Sequence, residues 1–331
     1  MSGARRWTQI LSRYREPDHA RSIAEIAMTA LPFGGLWLLS WFAFSQGFAW
    51  ACLLIAIPTA LFLGRLFMIQ HDCGHGAFFS LRWANDWTGR VIGVLTLTPY
   101  GLWRQTHAIH HATTGNLARR GMGDVATLTV REYRARSRWG RLKYRLYRHP
   151  LVLFGLGPAY LFLLQHRLPF GLMREGWRPW ASTMATNLAI ALITAMVIWL
   201  IGIRAFLFVQ IPIALFAATL GVWLFYVQHQ FEHTAWEQDE EWNLHEAALH
   251  GSSYYDLPPV LSWLTANIGV HHVHHLSSRI PYYRLPHVLR DHPQLREVGR
   301  LTLFASFRCV RLVLWDETHR RLVSFREAEA G

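Results

Sequence analysis

The sequence predicts an all-α integral membrane protein with four transmembrane helices in two hairpins and a cytoplasmic helical cap. Of its 331 residues, 52% are hydrophobic and only 16% are charged, whereas soluble domains usually have about 25% charged residues. Asp, Glu, Lys and Arg are absent from three windows, residues 26–64, 179–203 and 205–231. A bilayer-spanning helix needs about 20 mostly apolar residues. The first window therefore has room for two helices, and each of the others has room for one.

The four helices are predicted near residues 27–46, 49–70, 181–201 and 205–227. The uncharged turn SQG at 45–47 joins the first pair, and a short connection containing Arg204 joins the second. Arginines precede the first helix, and residues 112–178 and the C-terminal tail are also basic. Because positive residues accumulate on the cytoplasmic side, we expect both termini and the middle segment there.

Two further apolar segments are not expected to cross the membrane. Residues 149–166 are uncharged and long enough to span, but Gly155, Gly157 and Pro158 would break a helix at its middle. A crossing here would also place histidine-rich segments on opposite faces of the membrane. We interpret 149–166 as re-entrant or interfacial, and we give residues 91–103, which are too short to span, the same interpretation.

The chain is expected to form one membrane domain over residues 1–331. Its predicted parts are a cytoplasmic N-terminal arm (1–25), the first hairpin (26–70), a cap segment (71–180), the second hairpin (181–228), and a second cap segment with the tail (229–331).

The N-terminus lacks the apolar core of a signal peptide. Three widely spaced cysteines exclude a disulfide framework and a cysteine-ligated metal site. The charge of +12 comes from arginines that flank the apolar windows, which favours anionic lipid over nucleic acid as the contact.

The sequence contains nineteen histidines, and most of them fall into four groups beside predicted helix ends. The groups are HDCGH (His71, His75), THAIHH (His107, His110, His111), QHQFEH (His229, His233) and HHVHH (His271, His274, His275). Positions i, i+3 and i+4 share one face of a helix. We therefore expect HxxxH to aim two imidazoles at one point and HxxHH to aim three. Two short hairpins would bring all four groups to the same side of the membrane.

This number of imidazoles is about what two metal ions need. Neutral imidazole suits iron, copper, zinc and nickel, but a catalytic zinc usually takes only three protein ligands, so two redox metals fit better. His272 should point away from the other histidines, and His245 and His250 are left unassigned. A metal transporter is a more distant alternative, but transporter sites usually lie near the bilayer midplane, whereas these groups lie at helix ends.

The boxes HDCGH, HAIHH and HHVHH, together with the runs YVQHQFEHTAWE, LHGSSYYDLP and NIGVHHVHHLSSRIPYYRLP, resemble the membrane fatty acid desaturases. The likeness is to acyl-lipid enzymes of the delta-12 (omega-6) type from bacteria and plastids, and it covers about residues 50–290. It implies an oxidoreductase with two iron ions that uses dioxygen and two electrons. Such an enzyme removes two hydrogens from an acyl chain and leaves a cis double bond.

The metal ligands that the resemblance implies are His71, His75, His107, His110, His111, His233, His271, His274 and His275. His229 lies where related enzymes have an asparagine that reaches the metal through water, and we include it. The chain departs from the family pattern at Ala118, where an acidic residue is expected, at Ala266, where glycine is common, and at Tyr283, where asparagine is expected. None of these is a ligand position.

The expected partners are membrane lipids, an acyl-lipid or acyl-thioester substrate and a separate electron donor that is ferredoxin-like or cytochrome-b5-like. A separate donor is expected because neither end of the chain resembles a haem domain. A basic face would favour an acidic carrier by electrostatic steering.

Ligating imidazoles need partners that fix their orientation, and an acyl chain needs an apolar channel. The candidate partners are Asp72, Asp124, Glu232, Asp256 and Asn267, with helix capping or surface ion pairing as the alternative. The candidate channel residues are Phe78, Phe79, Trp103, Tyr254 and Tyr255, with anchoring at the membrane interface as the alternative.

A different reaction on the same scaffold is the nearest alternative function. A fatty acyl hydroxylase, an acetylenase, or a carotenoid or alkane oxygenase would use the same ligands, and the flanking runs favour desaturation.

Overall fold

A computed structural model describes residues 3–330, so residues 1, 2 and 331 of the predicted domain lie outside the described part. The α-helices of this part are α1 (Gly3–Leu11), α2 (His19–Ser45), α3 (Ala49–Gly74), α4 (Arg82–Leu95), α5 (Tyr100–Thr113), α6 (Val130–Ala135), α7 (Arg138–Tyr147), α8 (Gly157–Leu163), α9 (Trp177–Ile201), α10 (Ile203–His229), α11 (Leu244–His250), α12 (Pro259–Leu264), α13 (His271–Leu276), α14 (Leu285–Asp291), α15 (Leu303–Ser306) and α16 (Phe325–Ala330). Short 3₁₀ turns occupy Ser12–Tyr14, Gln165–Arg167, Tyr282–Arg284, Pro293–Glu297 and Phe307–Arg311, and a π-helical turn occupies Val152–Leu156.

The four predicted membrane helices are confirmed as α2, α3, α9 and α10, which are long and apolar enough to cross a bilayer. Helix α2 begins eight residues earlier than predicted. Asp18 caps it, because its Oδ1 accepts a hydrogen bond from the Arg21 N–H at 3.1 Å. These first turns contain the charged residues Arg21 and Glu25, so a prediction based on hydropathy did not include them in the helix.

Each hairpin turns at a glycine in the left-handed region. Gly47 has φ of 86° between α2 and α3, and Gly202 has φ of 83° as the single residue between α9 and α10. Such a φ is costly for any residue with a Cβ. Helix α3 packs against both α2 and α10, and half of its most apolar window is buried inside the protein, whereas none of the corresponding window of α9 is. Helix α3 therefore runs through the centre, and α9 faces outward.

The segment 149–166 is helical but interrupted, as its glycines and Pro158 predict. A π-helical turn at Val152–Leu156 leads into α8, which packs against α10. At 1.5 Å per residue, helical residues 150–163 extend for about 20 Å, too short to cross the membrane.

The other short apolar segment, 91–103, forms the end of α4, a turn, and the start of α5. Gln70 of α3 holds this turn: its Oε1 accepts a hydrogen bond from the Thr96 hydroxyl at 2.7 Å, and its Nε2 donates to the Thr98 carbonyl at 3.3 Å. Helix α5 therefore starts at a fixed point beside the end of α3.

The architecture is mostly helical, as predicted, and five short strands add to it. They are β1 (Leu128–Thr129), β2 (Tyr254–Asp256), β3 (Arg300–Thr302), β4 (Leu314–Asp316) and β5 (Arg321–Val323). Strand β4 pairs in parallel with β1 and antiparallel with β5, and β2 pairs in parallel with β3. These pairings attach the C-terminal tail to the cap. Strands of two or three residues are too short to leave a period-2 pattern in the sequence.

A buried ion pair joins the first hairpin to the cap. Arg65 of α3 and Glu25 of α2 are 0% and 1% exposed and contact each other directly. Arg65 also donates to the Trp263 carbonyl and lies 4.1 Å from the centre of the Trp263 ring. The Tyr282 hydroxyl donates to the Glu25 carboxylate at 2.9 Å.

Candidate metal centre

Nine histidines converge in two adjacent clusters in which the ring nitrogens lie within 4.8 Å of one another. The first cluster contains His71, His75, His107, His111 and His274. The second contains His110, His229, His271 and His275. The clusters touch, because the rings of His111 and His275 stack with centroids 4.1 Å apart.

Each HxxHH box divides its histidines between the clusters. His107 and His111 belong to the first cluster and His110 to the second, whereas His271 and His275 belong to the second and His274 to the first. This differs from the expectation that all three imidazoles aim at one point. At 3.6 residues per turn, residue i+4 is rotated by about 40° from residue i and residue i+3 by about 60° in the other direction. The i, i+4 pair therefore faces one metal position, and the i+3 residue faces its neighbour.

Four helices supply the clusters. His71 lies in the last turn of α3 and His229 is the last residue of α10, while α5 and α13 carry the two HxxHH boxes. His75 directly follows α3 as its C-cap residue. His71, His75 and His229 therefore lie at the ends of two membrane helices, and the other six lie on the short helices α5 and α13.

The distances between nitrogens fit metal coordination. In the first cluster, Nε2 of His111 lies 3.1 Å from Nε2 of both His107 and His274. In the second, Nε2 of His229 lies 3.2 Å from that of His110 and 3.0 Å from that of His271. Nitrogens bound to one metal at about 2.1 Å lie about 3.0 Å apart when the two bonds are at right angles.

An unpaired nitrogen supports the same conclusion. Nε2 of His75 is buried and has no hydrogen-bond partner among the described residues. A buried polar atom without a partner costs free energy, and a metal ion would supply the missing contact.

Burial favours the neutral form of six of these imidazoles, which is the form that binds metal. Burial, together with the charge of His110, lowers the pKa of His75 to about 3. Burial, together with the charges of neighbouring imidazoles, also lowers well below its usual value the pKa of each of His107, His111, His271, His274 and His275.

Hydrogen bonds to Nδ1 orient two rings of the second cluster. Nδ1 of His110 lies 2.7 Å from Oδ1 of Asp124, and Nδ1 of His229 lies 3.2 Å from the Gly251 carbonyl oxygen. A carbonyl only accepts, so His229 donates from Nδ1 and turns the lone pair of Nε2 towards the cluster. Burial alone would raise the pKa of Asp124, but the hydrogen bond with His110 lowers it overall. Asp124 is therefore ionised and accepts a hydrogen bond from His110.

Asp72 plays a similar part in the first cluster. Its Oδ1 lies 3.1 Å from Nδ1 of His71, and its Oδ2 accepts a hydrogen bond from the Tyr282 backbone N–H at 2.7 Å. Thus Asp72 links a ring of the first cluster to the segment that follows α13.

Three other polar candidates do not contact the clusters. Glu232 is exposed, Asp256 pairs with Arg300 at 2.8 Å, and Asn267 accepts from the Ser262 hydroxyl at 3.2 Å. Asp256 and Asn267 were predicted from proximity in the sequence, but their side chains bond within the cap.

The structure places His233, an expected ligand, at an exposed position outside both clusters. Helix α10 ends at His229, so His233 does not continue the i, i+4 face. His272 points away as predicted, with Nε2 bonded to the Leu295 carbonyl at 2.9 Å. The unassigned His250 is exposed and lies 3.6 Å from Glu246, outside the clusters.

An apolar cavity of about 960 Å³ reaches the clusters. His71, His107 and His271 line its inner end, and α3, α8 and α10 supply much of its wall. Of the predicted channel residues, only Trp103 lines this cavity. Phe78 packs instead on Tyr282 and against Phe79, and Tyr255 bonds to Ser306. Tyr254 bonds to Asp256.

Sequence reasoning missed several aromatic residues of the cavity wall, and two of them could have been found from the spacing of the histidines. Phe67 and Phe225 line the cavity, and each lies four residues before a clustered histidine, His71 and His229 respectively. The i, i+4 relation that groups the histidines would have found both.

The chain is similar to known fatty acid desaturases over most of its length. The family model described as "Fatty acid desaturase" matches residues 48–306. A "Fatty acid desaturase" of Bacillus subtilis is 44% identical over 319 residues, which cover 96% of this chain and 90% of that protein. The "sn-1 oleoyl-lipid 12-desaturase" of Synechocystis sp. is 29% identical over 71% of this chain and 67% of that protein. The "sn-1 acyl-lipid omega-3 desaturase (ferredoxin)" of Synechocystis sp. is 28% identical over 82% of this chain and 74% of that protein.

Proposed function

Because this chain belongs to the fatty acid desaturase family, we propose that its two histidine clusters hold two iron ions that oxidise an acyl chain. The chain is a membrane oxidoreductase, a fatty acid desaturase, and its histidines are suited to bind metal. The convergence of nine imidazoles on two adjacent positions is the observation that carries the proposal.

The proposed ligands are the nine clustered histidines. Five would hold one ion and four would hold the other. Neutral nitrogen donors suit iron and leave it more electron-poor than carboxylates would. Bound there, two iron ions would use dioxygen, two electrons and two protons to convert a –CH2–CH2– unit into a cis –CH=CH– unit and two waters.

The residues of the chain hold and orient the reacting groups. Asp124 and the Gly251 carbonyl fix the rings of His110 and His229, and Asp72 does the same for His71. Trp103 stacks on His107 at 4.5 Å and covers it on the cavity side. These contacts keep the ligand geometry unchanged while substrates enter and leave.

The apolar cavity is the proposed path of the acyl chain. Its volume of about 960 Å³ lies near the upper end of the range for small-molecule sites, about 300–1,000 Å³. Apolar and aromatic walls accept a hydrocarbon chain without leaving polar groups unpaired. Because relatives in Synechocystis are named acyl-lipid desaturases, we propose that the acyl group is carried on a membrane lipid.

We further propose that the chain forms one domain, with both termini and the metal centre on the cytoplasmic side of a bacterial inner membrane. The excess of arginine outside the hairpin turns supports this orientation. The electron donor is proposed to be a ferredoxin-like carrier, since one relative is named a ferredoxin-dependent enzyme.

The test is gas chromatography–mass spectrometry of total fatty acids, with location of double bonds, in cells that express the chain with a ferredoxin system. Wild type is compared with His110→Ala, and His287→Ala serves as the matched control because His287 is exposed and outside the clusters. We expect a new unsaturated acid in wild type and in the control, and none in His110→Ala. A new hydroxy acid would instead identify a hydroxylase, and equal product in all three cell lines would refute the proposed site.

A further inference from the structure

A second, polar pocket opens on the metal centre from another side. It has a volume of about 260 Å³ and is lined by Cys73, Gly74, His75, Gly76, Ser80, Arg82, Asn85, Asp86, Arg104 and Arg279. We call it the arginine pocket. Among the described residues, it shares no lining residue with the apolar cavity. The centre therefore has two separate approaches, and His75 forms part of the wall of this one.

The arginine pocket carries excess positive charge. Arg82, Arg104 and Arg279 face a single carboxylate, Asp86. Arg104 engages that carboxylate at 2.8 Å, and the Tyr100 hydroxyl also bonds to it at 3.2 Å. Two of the three arginine charges thus remain without a close carboxylate.

Those two arginines are open to solvent. The Arg82 side chain is 83% exposed and reaches Asp86 only at 3.9 Å. Arg279 is exposed and makes no hydrogen bond or ion pair with the residues that the structure describes. Exposed charges of one sign at the mouth of a cleft attract an oppositely charged partner and raise its association rate.

The lining residues decide what kind of partner fits. An acyl lipid bound here would place its chain among polar side chains and backbone, without a continuation into the apolar cavity. An acidic protein needs only surface carboxylates at Arg82 and Arg279 to come close to His75. Carboxylates bind arginine through charge-assisted hydrogen bonds.

We propose that the arginine pocket is the docking site of a small acidic one-electron carrier protein, which delivers electrons to the metal centre beside His75. This inference rests on the proposed function. Each docked carrier gives up one electron and leaves oxidised, so two encounters supply the two electrons used for each double bond. The acyl chain and the electron donor would then approach from different sides and need not displace each other.

The test uses the purified iron-loaded chain in nanodiscs of zwitterionic lipid and an acidic [2Fe–2S] ferredoxin. The readouts are the Kd for oxidised ferredoxin and the rate at which reduced ferredoxin is reoxidised in the presence of dioxygen and acyl lipid. The variants are Arg82→Glu/Arg279→Glu, the charge-conserving Arg82→Lys/Arg279→Lys, and Arg326→Glu. Arg326 is an exposed arginine of α16 that is not among the pocket residues.

We expect the double charge reversal to raise the Kd and lower the reoxidation rate by about tenfold or more at low salt. The difference should shrink at about 0.15 M salt, where screening acts over about 8 Å. The lysine variant and Arg326→Glu should stay close to wild type. Reduction by a viologen radical cation should not be slower in the reversed variant than in wild type, because a cation is not attracted by arginine, and iron content should be the same in all forms.

Three results would overturn the docking site. One is that the reversed variant binds ferredoxin as wild type does, and another is that it loses affinity only as much as Arg326→Glu does. A rise in KM for the acyl lipid at unchanged ferredoxin Kd would assign the pocket to a lipid headgroup instead. Failure of the proposed function is distinguishable, because wild type itself would then form no product with either reductant, whereas the ferredoxin Kd would still report on docking.

Discussion

At the scale of single residues, the imidazole rings owe their direction to groups outside the clusters. His110 and His229 each use Nδ1 for a hydrogen bond, to Asp124 and to the Gly251 carbonyl, and present Nε2 to the second cluster. Such partners set both the tautomer and the ring plane of a metal ligand. The site is therefore oriented by the fold itself.

Asp124→Asn should lower metal affinity or activity by about 10–100-fold, the usual effect of losing a partner of a ligating histidine. The amide keeps the shape of the carboxyl group but removes the negative charge that holds His110. The measurement is iron content after dialysis against a graded chelator, with Asp256→Asn as control, since Asp256 pairs with Arg300 away from the clusters. Equal iron loss in both variants would show that Asp124 has no special role.

His229→Ala should abolish the unsaturated product, whereas His233→Ala should leave it close to the wild-type level. His229 belongs to the second cluster and His233 is exposed outside it. Fatty acid analysis of cells that express each variant measures the difference. The opposite pattern would mean that the ligand follows the family resemblance rather than this geometry.

The sequence predicts which residue types form the site but not how they are divided. The HxxHH spacing places three histidines near one face of a helix. That the i+3 histidine joins a different cluster from the other two becomes apparent only when the two boxes face each other in the fold. The exclusion of His233 depends on where α10 ends, and no cap residue in the sequence marks that end. Ala266 has φ of 53°, in the left-handed region that favours glycine, and the sequence alone does not reveal this conformation at an alanine.

At the scale of elements, the apolar cavity lies among helices that also carry the ligands. Helix α3 supplies cavity wall and His71, and α10 supplies cavity wall and His229. A substitution in the part of either helix that lines the cavity therefore alters how the acyl chain fits, at a fixed distance from the histidine clusters. The interrupted helix at 150–163 closes another side.

Ala217→Phe should reduce desaturation by about tenfold or more while iron content stays the same. Ala217 lines the cavity from α10, and an added ring would occupy space needed by the acyl chain, since overpacking is not easily relieved. The control is Ala185→Phe, an exposed position on the outward-facing helix α9. Product yield per bound iron is the measurement. An unaffected yield in Ala217→Phe would place the acyl chain elsewhere.

The long helices were predictable because each holds an uncharged apolar window. The ends of these helices were harder to predict. Helix α2 extends through Arg21 and Glu25, which pair with each other within the helix, and Glu25 also pairs with Arg65 of α3. The short strands of the cap form by pairing between segments distant in the chain, such as β1 with β4. Local sequence carries almost no signal for such pairings.

At the scale of the whole molecule, the ion pair of Glu25 and Arg65 fixes the cap to the first hairpin. It connects α2 and α3 to Trp263 and Tyr282 of the cap. The Tyr282 N–H in turn donates to Asp72 beside the first cluster. The position of the cap is therefore coupled to the position of the histidines in the first cluster.

Glu25→Gln should lower the free energy of unfolding by about 3–5 kcal/mol, because it leaves the charge of Arg65 buried without its carboxylate. The measurement is denaturant unfolding in mild detergent, followed by tryptophan fluorescence. Glu240→Gln, at an exposed position, is the control and should unfold like wild type. A loss no greater than in the control would contradict the view that the Glu25 carboxylate is needed to compensate the buried charge of Arg65.

The most direct test of the central claim is the number of iron ions bound per chain, measured by elemental analysis of the purified protein. The two clusters predict about two irons in wild type, and fewer in both His75→Ala and His271→Ala, which alter the first and the second cluster respectively. Fewer than two in fully loaded wild type, or two retained in both variants, would contradict a two-iron centre built from these histidines.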